Sequence, residues 1–501
     1  MDHTQPEFLS KNTREATLST LNAALISGVD FKLSRPTIKY RPQQDIKGAL
    51  LEPLPIEGTP LDDVIGKFQR DVVEGSVNFS SPGFMAFPDA GNSIAALAGA
   101  VYADMLNQNL INSEHTSPTA TFVELATVRW LRQLVGYKCP DAKDITDAGG
   151  INVPGGVMAN TVSILLAREH RFPSTLRDGI TYDPRRVKVY LPEGISHYSC
   201  RASMGWIGLG HANAVPIPTT NKFMINQKAL VDRIEADISD GNTPLAVIAY
   251  AGDSRTMAID DFPALRRIAD KYQCWFHVDA CHGFSLCFSD KLKEKVRGME
   301  LADSITLDPH KVLWLPYNLS YVLTRDPSGF KSVAGVSDLI TKEPYSFGQI
   351  TPFLGSRAFN SAKLWFLLKH LGVKRIGELI EQRHALAVDA GIEVEKDYAL
   401  RLMSPVRINS VAFAYAPKAV LERGREYYNQ LTRRIHRRIW EDGDYYIHTF
   451  SLPDRANVLG YGIGADVQVL RIMPGNPLTT IDLLRDALGA VKRTGKEETD
   501  V

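Results

Sequence analysis

Two short stretches of this chain combine residue types suited to carbonyl chemistry. The first is His277-Val278-Asp279-Ala280, and the second, further along, is Leu307-Asp308-Pro309-His310-Lys311. The primary amine of Lys311 is a candidate to condense with an aldehyde. The carboxylate of Asp279 is a candidate to hold a pyridine nitrogen protonated. Alone, each has a plainer explanation: a solvated lysine, or an aspartate that ends a strand. Together they gain weight, because each sits at the C-terminal end of an apolar, strand-like run, where α/β sheets place their ligands. Pyridoxal 5'-phosphate (PLP) needs both groups, a lysine Schiff base and an acidic partner for the ring nitrogen.

Other residues fit around such a cofactor. Gly155, Gly156 and Val157 open a helix-period stretch, and glycines at a helix N-terminus let free N–H groups approach a phosphate. His197 follows the strand-like run Val187–Leu191, where a flat imidazole can stack on a pyridine ring. His310, beside Lys311, is placed to touch the phosphate or a substrate carboxylate, or to fix the turn before the lysine. A ring nitrogen kept protonated by Asp279 would withdraw electrons from a carbanion formed at the substrate Cα.

These residues need a scaffold. From about Ile151 to Arg325, short apolar runs alternate with amphipathic segments. Strands are expected at Val187–Leu191, Ala214–Ile217, Leu245–Tyr250, Trp275–Val278, Ser304–Leu307 and Leu319–Leu323, with helices such as Val157–His170 and Asp261–Tyr272 between them. That alternation argues for an α/β fold, a mostly parallel central sheet flanked by helices. The proline-rich, polar start, with a helix near Leu61–Val73, reads as an N-terminal arm over residues 1–85. The large domain is expected over 86–375. Helices are expected at Ala362–Leu371, Val373–Val388, Arg423–Trp440 and Ile481–Val491, with a strand at Ser410–Tyr415. The tail, 376–501, reads as a smaller C-terminal α+β domain.

Composition narrows the class. Lys+Arg and Asp+Glu both number 57, so no charge bias points to nucleic acid or an anionic membrane. The longest apolar run, Ile94 to Ala103, is too short to span a bilayer. The first residues lack the basic and apolar regions of a secretory signal. The 5 cysteines show no metal-ligand spacing, so a metal site is not expected, and reduced thiols in a cytoplasmic setting are.

The motifs, in this order, resemble the group II PLP-dependent decarboxylases, which include the glutamate, aromatic amino acid, histidine and 2,4-diaminobutyrate decarboxylases. The resemblance runs from about Leu54 to Leu488. Asp308-Pro309-His310-Lys311 and His277-Val278-Asp279-Ala280 are its specific elements, and Gly155-Gly156-x-x-Ala159-Asn160, His197-Tyr198-Ser199 and Ser81-Pro82-Gly83-Phe84-Met85-Ala86-Phe87 support it. Asn107-Gln108-Asn109 and Gly355-Ser356-Arg357 are similar to further segments of that family. The resemblance implies a fold-type I PLP enzyme, a homodimer with shared active sites, that converts an L-amino acid to its amine and carbon dioxide. It implies Lys311, His197 and Asp279 as catalytic residues, and Gly155, Gly156, Val157, Ala280, His310 and Ser356 as further cofactor contacts. Phe84, Phe87, Asn109 and Arg357 are the candidates for the substrate.

The chain departs from the pattern in places. Val157 replaces a usual Ser or Thr, Cys281 a usual Ala, and Asn318 a frequent Cys. In the family, a loop tyrosine returns a proton to Cα; here Asp338 stands in its place, and Tyr345 is the nearest substitute. Without that phenol the intermediate can react with oxygen and give an aldehyde. Three readings follow: a decarboxylase, a family member with altered chemistry (decarboxylation-dependent oxidative deamination to an aldehyde, or another PLP reaction at Cα), and an inactive scaffold. Retention of Lys311, Asp279 and His197 argues against the last.

Overall fold

The computed structural model describes residues 7–34, 36–89, 91–139, 141–196, 198–335, 343–351 and 353–499. His197, Asp338 and the neighbouring loop residues 336–342 lie outside this set. Seven strands form the large sheet: β1 (Gly150–Val153), β2 (Val187–Pro192), β3 (Ala214–Ile217), β4 (Thr243–Tyr250), β5 (Trp275–Asp279), β6 (Ser304–Leu307) and β7 (Ser320–Thr324). Their order is β1-β7-β6-β5-β4-β2-β3. From β6 to β3 every pairing is parallel, while β7 runs antiparallel to β6 and β1. The mostly parallel α/β sheet expected from the sequence is thus present, and the six expected strands fall at β2 to β7. Its central strands are buried along nearly their whole length, which is why they read as continuous apolar runs.

Register sets the site. Tyr250 pairs with Asp279 across β4 and β5, and Asp279 with Thr306 across β5 and β6. Three adjacent strands therefore end side by side, and the chain leaves β6 directly into Asp308. The helix Gly156–Arg171 packs against this sheet, with residues 159–169 buried.

A second sheet, order β10-β11-β9-β8, is antiparallel throughout: β8 (Leu400–Leu402), β9 (Val411–Tyr415), β10 (His448–Asp454) and β11 (Ala465–Ile472). The helices Arg425–Asp442 and Ile481–Thr499 pack on it, and its apolar core is separate from that of the large sheet. The two helices expected at Ala362–Leu371 and Val373–Val388 form one element, Ser361–Lys396, kinked where Gly372 adopts φ 67°. The expected boundary at 375/376 falls inside it. Near the start of the chain, the helices Arg14–Leu33, Gln43–Leu50 and Leu61–Phe68 contribute no buried residue.

Candidate active site

A cavity of about 210 Å³ opens at the C-terminal ends of β4, β5 and β6. Gly156, Val157, Asn160, Tyr250, Asp279, Cys281, His282, Asp308, His310 and Lys311 are among its lining residues. The sequence candidates Gly156, Val157, Asp279, His310 and Lys311 thus meet in one place. Gly155 caps the helix next to them, and Ala280 is buried, its N–H donating to Thr306 O at 2.9 Å.

Lys311 Nζ lies 2.7 Å from Asp308 Oδ2. Burial works to lower the lysine pKa, but the carboxylates of Asp308 and Asp279 outweigh it and hold the ammonium well above the usual lysine range. Burial would raise the Asp308 carboxyl, yet Lys311, His310 and the Ser320 hydroxyl hold it well below the ordinary carboxylate value. Ser320 Oγ donates to Asp308 Oδ1 at 2.5 Å. The pocket therefore keeps a cationic nitrogen charged at the position of Nζ.

Asp279 is held from behind. Asn160 Nδ2 donates to its Oδ2 at 2.9 Å, and the Cys281 N–H donates to Oδ1 at 3.2 Å. Burial pushes this carboxyl up, but Lys311, Cys281 and Asn160 bring it below its ordinary value, so it is ionised. Asn160 is fixed in turn: its Oδ1 accepts from Thr306 Oγ1 at 2.8 Å and from His277 Nε2 at 3.1 Å. Burial holds His277 neutral, its pKa pushed down to about 4. Asn160 and Asp308 were not among the sequence candidates for the site. Asn160 sits one helical turn after Gly156, and Asp308 one turn before Lys311; both spacings were available signals.

These residues fit the cofactor. Gly155 has φ 101° and no side-chain cap, which leaves first-turn N–H groups facing the cavity. A Cβ on Gly156 would lie 2.6 Å from Asp308 Oδ2 and 3.1 Å from Cys281 Sγ, so only glycine keeps this space open. Val157 brings no hydroxyl to that end.

Comparison with known proteins decides the family. The pyridoxal-dependent decarboxylase conserved domain matches residues 42–416. The chain belongs to the pyridoxal-dependent decarboxylases. This decarboxylase is 24% identical to an aromatic-L-amino-acid decarboxylase of Bacillus atrophaeus, over 94% of its own length and 93% of the relative's. It is 26% identical to a phenylacetaldehyde synthase of Petunia hybrida, covering 85% and 86% of the two chains. Its fold matches a crystal structure of mouse CSAD in apo form, with TM-score 0.86 and 22% identity over 96% and 99% of the two chains. The enzyme's cofactor is PLP.

Other sequence candidates of the decarboxylase lie elsewhere in the chain. Arg357 Nη2 donates to Glu124 Oε1 at 2.6 Å and to Asn152 O at 2.9 Å, and its guanidinium covers the Phe347 ring at 4.5 Å. Asn109 Oδ1 accepts from the Arg357 N–H at 3.0 Å, and Asn109 Nδ2 donates to Ser356 Oγ at 3.2 Å. None of these three lines the Lys311 cavity. Tyr345 lies in a different cavity of about 320 Å³ with Phe122, Arg129 and Arg132, and its hydroxyl donates to Ala142 O at 3.4 Å. Phe84 is buried against Phe79 and Tyr446, whereas Phe87 is half-buried against His448, ring centroids 4.7 Å apart. The C-terminal sheet contributes Arg471, also absent from the sequence candidates. It is buried, and it donates to Ser254 O at 2.6 Å and to Ala86 O at 3.0 Å.

Proposed function

We propose that the enzyme removes the α-carboxylate of an L-amino acid as carbon dioxide and leaves the amine, with Lys311 as the residue that carries the cofactor. The observation that supports this most is the convergence of Lys311, Asp308, Asp279 and the Gly155–Gly156 helix start on one cavity. Lys311 would hold the cofactor aldehyde, Asp279 its ring nitrogen and the helix start its phosphate, with His197 against the ring. When bound, the cofactor supplies an electron sink for the bond broken at the substrate Cα. The protein's part is to keep Asp279 ionised through Asn160, to keep a cation at the Lys311 position through Asp308, and to limit water in a buried pocket.

We also propose a homodimer. The helix Ile94–Leu106 buries only its small residues Ala96, Gly99 and Ala103, while Ile94, Val101, Tyr102, Met105 and Leu106 face outward. An apolar face of that kind marks an interface. Asn109 and Ser356 stand just beyond its C-terminal end. Among the described residues no helix is long and apolar enough to cross a membrane; a cytoplasmic setting is our reading.

A second outcome is favoured by one observation: Tyr345, the nearest phenol to the expected proton donor, sits in a separate cavity within its own subunit. Without a phenol at Cα, carbon dioxide loss would be followed by oxidation, with oxygen and water consumed and aldehyde, ammonia and peroxide formed. We take amine as the product.

The test is borohydride reduction followed by peptide mapping, together with product analysis. A reduced pyridoxyl group on Lys311, and amine formed in step with carbon dioxide, are expected. Lys311→Ala should lose the covalent label and about 10⁴-fold or more of the turnover. A label on another lysine would remove Lys311 from its role; aldehyde and peroxide as main products would establish the second outcome.

A further inference from the structure

We propose that Asp89 selects the substrate, and that the substrate is an L-amino acid with a cationic side chain. The inference rests on the decarboxylase reading above and adds to it the class of amino acid.

Asp89 ends the segment that carries Phe84 and Phe87. Its Oδ1 is buried and meets no hydrogen-bond partner among the described residues. Tyr317 acts on the carboxylate electrostatically, and its ring lies 5.1 Å from that of His310. Asp89 feels the charges of His310 and Lys311, and Arg471 feels that of Asp89. It is not among the residues that line the 210 Å³ cavity.

Among the described residues the nearby cations form no ion pair with Asp89, although Arg471 Nε is itself buried without a hydrogen-bond partner. Lys311 is engaged by Asp308 at 2.7 Å. Arg471 spends its Nη atoms on Ser254 O, Ala86 O and His448 Nδ1. No lysine or arginine forms an ion pair with Asp89 among the described residues. A buried carboxylate with an oxygen unmatched is costly, and the cost is repaid when a cation arrives with a hydrogen to donate. Burial raises the Asp89 pKa accordingly, and His310, Lys311 and Tyr317 oppose the rise.

Phe87, two residues before Asp89, belongs to a set of aromatic rings suited to an alkylammonium. Phe87 and Tyr446 meet edge to face at 5.8 Å, and Phe84 and Tyr446 at 5.5 Å. Such rings favour methylene groups and attract a cation. An acidic side chain would meet Asp89 as a like charge, and a neutral one would leave Oδ1 without a partner.

The experiment uses the PLP-loaded enzyme and reads carbon dioxide release. Substrates are L-lysine, L-ornithine and L-2,4-diaminobutyrate, the uncharged analogues L-norleucine and L-norvaline, and L-tyrosine and L-glutamate. We expect kcat/KM for the best basic amino acid to exceed that for its uncharged analogue by about a hundredfold or more. Asp89→Asn should shrink that ratio by about a hundredfold, and Asp89→Ser, which leaves no amide to fold into the site, should do the same. Preference for a neutral or acidic amino acid, or a ratio unchanged in both variants, overturns the inference alone. Wild-type enzyme that holds its cofactor yet releases carbon dioxide from no amino acid overturns the decarboxylase reading and this inference with it.

Discussion

Two buried charge clusters flank the large sheet, and they differ in what their charges have left to do. Lys311 with Asp308 stands at the C-terminal strand ends; the lysine side chain keeps 24% of its exposure while the aspartate keeps none. Arg357 with Glu124 is almost wholly enclosed, at 3% and 0%. Both cations were legible as candidates from residue type and neighbourhood. In the first cluster a cavity reaches the cation. In the second the guanidinium is shared between a carboxylate, a carbonyl of β1 and an aromatic ring; although its Nη1 and Glu124 Oε2 stay buried without hydrogen-bond partners among the described residues, it joins the segment after 353 to the helix Ala120–Leu134 and to β1. A buried ion pair with no open side holds structure; one with an open side is available for chemistry.

The cluster at the strand ends is most sensitive at Asp279. Asp279→Asn keeps the shape and removes the charge proposed to hold the pyridine nitrogen protonated. Turnover should fall by about 10³-fold, and PLP affinity should drop, while the unfolding midpoint of the apoprotein moves little. Spectrophotometric PLP titration and a turnover assay on the same sample check this. Near-normal turnover would mean that another group partners the ring nitrogen.

Arg357→Ala should show the opposite pattern. It strands the Glu124 carboxylate in the interior, so stability should fall by about 3 kcal/mol, readable by urea unfolding. Replacing both members by apolar residues of similar volume should recover much of the loss. If Arg357→Ala instead keeps its stability and loses activity, the guanidinium serves a site after all, and the contrast between the clusters fails.

How much of this was readable beforehand depends on local signal. The strands that bear the site are continuous apolar runs because both their faces are covered, and a residue at the end of such a run is exposed to ligand by topology alone. That made Asp279, Lys311 and the glycines at the helix start visible. The strands β8, β10 and β11 were not foreseen: β10 is half-exposed over its first four residues, and β11 alternates at its start, so neither carries a long apolar run. Asp89 and Arg357 show the other limit. Sequence names the charge, but whether a second group has claimed it depends on segments far apart in the chain: Glu124 for Arg357, and for Asp89 no ion-paired cation among the described residues.

The smallest effect concerns the support behind Asp279, which is made of neutral groups where the Arg357 cluster is made of charges. Neutral His277 can donate from Nε2 to Asn160 Oδ1 at 3.1 Å while Nδ1 accepts from Ser304 Oγ at 2.9 Å. Its pKa is about 4 in the folded protein against 6.5 ordinarily, because burial disfavours the imidazolium. Between those values the unfolded chain binds a proton that the folded chain does not. Stability from this group is therefore fully present above pH 6.5 and is lost as the pH falls toward 4. Between pH 7 and pH 5 the loss should be about 2 kcal/mol. Urea unfolding of wild type and His277→Asn at both pH values isolates it, since other buried histidines such as His282 and His448 remain in both proteins and cancel. The variant should be less stable at pH 7 and decline less steeply toward pH 5. Parallel declines would show that burial leaves the His277 pKa at its ordinary value, so that the group behind Asp279 gains its proton alike in the folded and unfolded chain.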